Sequence, residues 1–284
     1  MEISVIIPFY HGNKQINKTV RAVEIAAKEF RDSCGKTVEL IIVNDSPSEK
    51  VNVSPDEYSL PIIIIENKCN QGIHQTRING LQAATGEFVL FLDQDDEIRP
   101  NWFLSQYKKI GNNSICVANG CVRYLDGTEE LFFKSKKSQQ ICFDQSSFYC
   151  FSNKLTAGIV LIRKQCIPEQ WKTDVIKNNG SDDLFLWLLL YSDKRTKITV
   201  NDDVVFVRNM TGINFSNDIQ KMLKSEREVM HLMRKKAKPI LWHMWKRRLD
   251  WNEFVITNPG NKMHAIKYPD VVVLLKAYRR KYLF

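Results

Sequence analysis

Apolar and polar positions alternate in blocks along the first hundred of the 284 residues. Ile3 to Phe9, Val38 to Asn44, Pro61 to Glu66 and Glu87 to Asp93 are short runs rich in Ile, Val and Phe. Continuous apolar runs of this length suit strands buried on both faces of a mostly parallel sheet. Between them, Asn13 to Arg31 carries Val20, Val23, Ala27 and Phe30 at helical spacing, and Gln71 to Ala84 is closed by Thr85-Gly86. Helices are expected over both stretches. Repeated strand–helix–strand units imply a doubly wound α/β layer fold.

The middle of the chain has a different rhythm. Ile115 to Leu125, then Asp126-Gly127, then Thr128 to Lys134 predicts a hairpin, since Asp-Gly favours a tight primed turn. Thr156 to Arg163 predicts a further strand, and Ser181 an N-cap for a helix through Leu184, Trp187, Leu188 and Tyr191. Beyond Ser216 the composition shifts to Lys, Arg, Met and Trp with few strand signals. A boundary near residue 218 is expected, dividing a domain over 1–218 from a basic, mostly helical region over 219–284.

Charge sharpens that division. From Lys221 onward 16 Lys and Arg face 5 Asp and Glu, whereas the first 220 residues hold 25 against 27. A nearly neutral body thus carries a strongly basic tail. Over residues 221 to 250 the cations interleave with Met222, Met230, Met233, Trp242 and Trp245. Basic residues mixed with Trp and Met suit amphipathic helices on an anionic membrane surface. Packing of the apolar residues on the body, with the cations merely solvated, is the competing expectation, and nucleic acid the least favoured partner.

The seven cysteines are odd in number and never spaced Cys-x-x-Cys, as expected of reduced structural thiols. Met1 runs directly into an apolar strand without a basic flank, which predicts no cleavable signal. No run of eighteen uncharged apolar residues predicts a membrane span. A cytoplasmic location is expected, peripheral on the inner face of the membrane if the tail binds there.

In an open α/β sheet, ligands bind beyond the carboxyl ends of the strands. The first strand is followed by Pro8, Phe9, Tyr10 and His11, and the second by Asp45, Ser46 and Pro47. The third ends in Glu66, and the fourth in Asp93-Gln94-Asp95-Asp96-Glu97. One acidic strand end is ordinary turn chemistry; four together mark a site. Asp93 and Asp95 can converge on one hard cation, Mn2+ or Mg2+, which prefers oxygen ligands and keeps positions open for phosphate oxygens. The competing expectation is a solvated acidic loop, with Asp96 capping the next helix.

These strings resemble a known family. Ser4-Val5-Ile6-Ile7-Pro8-Phe9-Tyr10 and Glu39-Leu40-Ile41-Ile42-Val43-Asn44-Asp45-Ser46 look like the opening of the inverting family 2 glycosyltransferases with the GT-A fold. So do Asn70-Gln71-Gly72, Arg77 with Gly80, Ala84-Thr85-Gly86-Glu87, Phe91-Leu92-Asp93-Gln94-Asp95-Asp96 and Ser181-Asp182-Asp183-Leu184. The resemblance covers most of the first 216 residues and nothing of the tail. It implies a nucleotide-sugar donor, UDP-linked, held at base and ribose by Pro8, Phe9, Tyr10 and Asp45, with Glu66 on the same edge. A uracil ring offers an imide N–H that Asp45 can accept. The resemblance further implies Arg77 at the nucleotide or its diphosphate, Asp93 at ribose or metal, and Asp95 as the direct metal ligand. The general base would come from Asp182-Asp183, with Asp183 in the family's usual place. The acceptor would be a saccharide or lipid-linked saccharide, as in the assembly of bacterial surface polysaccharides.

The sequence also departs from the family pattern. Asn44 replaces the first of two adjacent Asp residues, and His11 replaces the usual Asn. Met210, in Phe206-Val207-Arg208-Asn209-Met210, stands near where many relatives place a metal-side His, and it is a poor ligand for a hard cation. Thr211, Asn214 and Ser216 resemble the polar end of that motif without an assigned role. Two rival readings remain open: a nucleotidyltransferase, for which the single Gly of Pro8-Phe9-Tyr10-His11-Gly12-Asn13-Lys14 is a poor phosphate loop, and an inactive nucleotide-sugar-binding membrane protein.

Overall fold

A computed structural model describes residues 1–151, 155–212, 217–260 and 263–282. β1 (Ile3–Phe9), α1 (Ile16–Cys34), β2 (Val38–Asn44), β3 (Ile62–Glu66), α2 (Ile73–Ala83) and β4 (Phe88–Phe91) follow one another as the pattern predicts. β1, β2 and β3 pair in parallel in that order, with β4 parallel to the other side of β1. The chain therefore leaves β1 toward opposite sides, and the crevice at the C-terminal ends of β1 and β4 is the place where such sheets take ligands. β1 and β2 are buried along almost their whole length, which is why both read as continuous apolar runs. Gly80 lets α2 lie close on the sheet, because a Cβ there would stand 2.4 Å from Ile6 Cγ2.

After β4 come β5 (Glu97–Ile98), α3 (Trp102–Ile110), β6 (Ile115–Arg123), β7 (Glu129–Leu131), α4 (Lys136–Gln139) and α5 (Gln145–Phe151). They are followed by β8 (Val160–Arg163), α6 (Glu169–Thr173), α7 (Asp182–Ser192) and β9 (Ile198–Asn209). The sheet order is β3-β2-β1-β4-β8-β6-β9-β5, with β7 added to β6. β8 runs antiparallel to β4 and β6, while β6 and β9 are parallel. The α/β expectation holds, with an all-parallel half of β3, β2, β1 and β4 and a mixed half beyond it.

Two local expectations change. The hairpin turn is not of the primed type: Gly127 N–H donates to the Tyr124 carbonyl and Tyr124 N–H to the Thr128 carbonyl, with Gly127 at φ 84°. Glycine supplies the left-handed residue of a bulged turn instead. Ser181 precedes α7, yet its side chain makes no cap bond, and Asp183 Oδ1 accepts the Leu184 N–H at 2.6 Å.

The basic region is helical, with α8 (Ile219–Leu232), α9 (Pro239–Thr257), α10 (His264–Lys267) and α11 (Pro269–Tyr282). Asp218 caps α8 by accepting the Lys221 N–H. Val229, Met230, Met233, Trp245 and Leu249 are buried within the same apolar cluster as β1 and β2. Arg248 of α9 is buried, pairs with Glu226 of α8 and donates to the Tyr149 carbonyl, so the ion pair joins two helices of the extension and a hydrogen bond adds to the packing against α5. Among the described residues no helix is long and apolar enough to cross a membrane.

Candidate functional site

The parallel half delivers its strand ends to one edge in register: Phe9 lies beside Asn44, and Asn44 beside Glu66. Asp45 follows at once and is 4% exposed. Its Oδ1 accepts from Gln71 N–H at 2.8 Å and Asn67 Nδ2 at 2.8 Å, and its Oδ2 from Gly72 N–H at 2.9 Å. Asp45 thus shapes the loop before α2 and keeps one lone pair of Oδ2 for a further donor. Glu66 is exposed and accepts from Asn44 Nδ2 at 2.6 Å. Asn44, the departure from the family pattern, therefore joins two strand ends and also donates to the Glu49 carbonyl.

At the end of β1, Pro8 is half-buried and Tyr10 is 52% exposed, so both can face a planar ligand. Phe9 cannot. It is fully buried in the core, and only its backbone reaches the edge, where its carbonyl accepts the Asp45 N–H. Successive side chains of a strand point to opposite faces, so Phe9 cannot share the role of its neighbours. His11 is a turn residue, at φ 50°, with Nδ1 2.6 Å from Glu49.

The acidic loop after β4 is built rather than loose. Gln94 forms a two-point clamp on the Tyr10 backbone, accepting from its N–H and donating to its carbonyl, each at 2.9 Å. Thr19 of α1 donates to the carbonyls of Gln94 and Asp96. Asn209, at the end of β9, donates to Asp96 Oδ1 at 3.1 Å and to the Asp95 carbonyl at 2.8 Å. Asn209 thus bonds to this loop, whereas the Met210 N–H donates to the Arg123 carbonyl on the hairpin. Thr19 carried no recognisable signal, while Gln94 and Asn209 lay inside motifs without a role of their own. Asn214 and Ser216 lie outside the described residues.

Arg77 links the acidic loop to α7. It is 4% exposed, and its guanidinium donates to Asp93 Oδ1 at 2.6 Å and to Asp182 Oδ2 at 2.5 Å. Burial opposes its charge, but Asp182, Asp93 and Asp183 outweigh that and hold it protonated. A buried guanidinium occupied on two sides by carboxylates is no free clamp for a diphosphate. The expectation for Arg77 shifts from ligand contact to crosslink between the acidic loop and α7.

The two aspartates of α7 have different surroundings. Asp182 is 2% exposed, paired with Arg77, and its carbonyl accepts from Trp171 Nε1. Asp183 is half-buried, and burial of its carboxyl together with Asp182 beside it pushes its pKa up to about 7, against the pull of Arg77. A carboxylate with that proton affinity is suited to general-base work near neutral pH. Burial and the neighbouring Asp93 likewise push Asp95 up to about 6. Among the described residues no cluster of three His, Cys, Asp or Glu stands ready for a metal. A hard cation that keeps open positions for water and phosphate oxygens needs fewer protein ligands, and two crowded carboxylates fit it.

The sequence model of glycosyl transferase family 2 matches residues 4–160, more than half of the chain. The chain belongs to family 2. A GalNAc(5)-diNAcBac-PP-undecaprenol beta-1,3-glucosyltransferase of Campylobacter jejuni is 23% identical over 201 residues, covering 68% of this chain and 60% of the relative. An uncharacterized glycosyltransferase of Haemophilus influenzae is 31% identical over 98 residues, 34% of this chain and 31% of its own length. The chain thus spans between a third and three-fifths of these relatives. Among solved structures, S. aureus TarS 1-349 in complex with UDP-GlcNAc superposes with a TM-score of 0.64 at 16% identity, over 95% of this chain and 79% of that one. A mannosyltransferase from Pyrobaculum calidifontis in complex with GDP-Man and Mn2+ gives 0.61 at 13% identity, over 99% and 83%. These likenesses establish for this family 2 chain the GT-A fold expected from its motifs.

Proposed function

We propose that the protein transfers a sugar from a UDP-sugar to a hydroxyl of a saccharide or lipid-linked saccharide, with inversion at the transferred carbon. The observation that carries this is the pairing of Asp183, half-buried and of raised proton affinity, with an acidic loop to which Arg77 ties its helix. Asp183 takes the proton of the acceptor hydroxyl as that oxygen attacks the sugar carbon from the face opposite the departing diphosphate. Asp182 and Arg77 hold Asp183 in place. Asp45 accepts the base N–H on its remaining lone pair, and Tyr10 and Pro8 offer apolar surface to the ring. Asp95, with Asp93, would hold Mn2+ or Mg2+, which neutralises charge on the leaving diphosphate when bound. The UDP-GlcNAc complex of TarS supports a UDP donor, and the undecaprenol-linked substrate in the name of the Campylobacter relative supports a hexose carried to a lipid-linked acceptor.

A panel of UDP- and GDP-sugars incubated with Mn2+ tests this. Slow release of nucleoside diphosphate from one donor is expected without an acceptor, and once a saccharide acceptor is added, NMR of the transfer product should show a β-linkage from an α-linked donor. Retained configuration, or no release from any donor, would refute it.

The extension carries a second feature. Arg234, Lys235, Lys236 and Lys238 are exposed around the start of α9, where Ile240 is 64% exposed. We infer peripheral attachment of this face to anionic lipid, while the buried Met and Trp residues serve packing. Co-sedimentation with phosphatidylglycerol vesicles at low salt should be lost on reversing Lys235, Lys236 and Lys238 to Glu; equal sedimentation would refute it.

A further inference from the structure

The helical extension grips the loop that carries the base. Residues 174–181, Asp-Val-Ile-Lys-Asn-Asn-Gly-Ser, join α6 to α7, and Gly180 stands at φ 119°. Ile176 is buried in the core and its N–H donates to His74 Nδ1, but the polar stretch after it, Lys-Asn-Asn-Gly, has little apolar surface of its own with which to hold one shape. Glu228, within α8, holds it from outside. Its Oε1 accepts the Lys177 N–H at 2.8 Å, and its Oε2 accepts the Asn178 N–H at 3.0 Å and Asn178 Nδ2 at 2.6 Å. One turn earlier, the buried Ser225 donates its hydroxyl to the Asn178 carbonyl at 2.6 Å. Asn178 is thereby held by its N–H, its carbonyl and its side chain together. Burial works against the charge of Glu228, but the bonds from Lys177 and Asn178 outweigh it and keep the carboxyl below its ordinary range.

The residues next to Asn178 lead into the site on both sides. Asn179 Oδ1 accepts the N–H of Ile73, the first residue of α2, at 3.2 Å. Gly72 makes this approach possible, since a Cβ there would stand 2.7 Å from that oxygen. Three residues after Asn179, α7 begins with Asp182 and Asp183. The loop is therefore stretched between the donor-side helix α2 and the base-bearing helix α7, with Glu228 as its anchor.

We propose that Glu228, supported by Ser225, is a positioning residue for sugar transfer that sets the start of α7, and so Asp183, against α2. This rests on the reading of Asp183 as general base. Hydrogen bonds to an ionised carboxylate are stronger than neutral ones. Misplacing a reacting group by about 1 Å costs on the order of 100-fold in rate. The extension is then part of the catalytic apparatus, whatever else it binds.

The test uses the full chain, with Glu228→Ala and Asp183→Asn made singly and together. Nucleoside diphosphate release is measured with the donor that the panel selects. Glu228→Ala should lower kcat about 10- to 100-fold with donor KM changed by less than about threefold. Because Glu228 acts through Asp183, the double variant should be no slower than Asp183→Asn alone. An equal fractional loss in both backgrounds marks a merely structural role and overturns the inference, as does wild-type kcat in Glu228→Ala. Full turnover in Asp183→Asn refutes the base assignment, and the inference with it. If Glu228→Ala does not fold, Glu228→Gln and Ser225→Ala carry the same comparison. Amide hydrogen exchange over 176–183 should then be faster than in the wild type, and unchanged exchange overturns the inference.

Discussion

Replacing Arg77 by Met removes a buried cation from between Asp182 and Asp93 while preserving most of its volume. Arg77 and Asp182 are 4% and 2% exposed, so neither charge can turn to solvent when its partner is lost. Breaking such a buried pair from one side costs about 3–5 kcal/mol. The bond to Asp93, which is 38% exposed, adds little because water screens it. At about 2–4 °C per kcal/mol for a chain near this size, the unfolding midpoint should fall by roughly 6–20 °C. The loss should depend on pH. Asp183, already pushed to about 7 from an ordinary 3.8 by burial and Asp182, loses the Arg77 charge that pulls it down. A carboxyl whose folded pKa lies above its unfolded value favours the fold most below the unfolded value, and that advantage disappears as pH rises through the folded one. The variant should therefore lose more stability, relative to wild type, at pH 8 than at pH 6. Asp182→Leu added to Arg77→Met should restore part of the loss, since an apolar pair needs no counter-charge. Thermal unfolding followed by circular dichroism at both pH values measures all of this. Equal midpoint losses at pH 6 and pH 8, or a loss under about 1 kcal/mol, would refute the picture of Arg77 as a buried crosslink.

Three further outcomes are expected. Asp95→Ala should abolish the Mn2+ dependence of UDP-sugar binding without unfolding the protein, and equal wild-type affinity by calorimetry with and without EDTA would sink the metal assignment. Asp183→Asn should lower the transfer rate by about 10²- to 10⁴-fold with donor affinity little changed, whereas Asp182→Asn should show its larger effect in the unfolding midpoint; the reverse pattern would mean that the right pair but the wrong member was assigned. A chain ending at Asp218 should not stay folded, because it uncovers the surfaces against which Val229, Met230, Met233, Trp245 and Leu249 pack. At about 1.5–3 kcal/mol for each buried side chain, their loss rivals the whole stability of a typical domain; a soluble, cooperatively melting fragment would contradict this.

The elements and their order were legible in the sequence because β1 to β4 are buried runs separated by turn residues, a pattern set by local chemistry alone. The same holds for the positions of Asp45, Asp93, Asp95 and Asp183, each placed by the strand or helix that it ends or begins. Partnership was not legible. Arg77 stands 105 residues from Asp182 in the chain, and only the packing of α2 between the acidic loop and α7 turns an expected ligand contact into a buried crosslink. Phe9 looked like a neighbour of Tyr10 until the strand turned it into the core. The Met and Trp residues of the tail fit a membrane face or a packed face equally well by periodicity, and the folded body decided that several of them are covered. Glu228 gave no sign at all, since a glutamate on a basic amphipathic helix looks solvated until a distant loop presents its N–H groups to it. Periodicity is a property of neighbouring residues, whereas burial and pairing belong to residues that only the fold brings together.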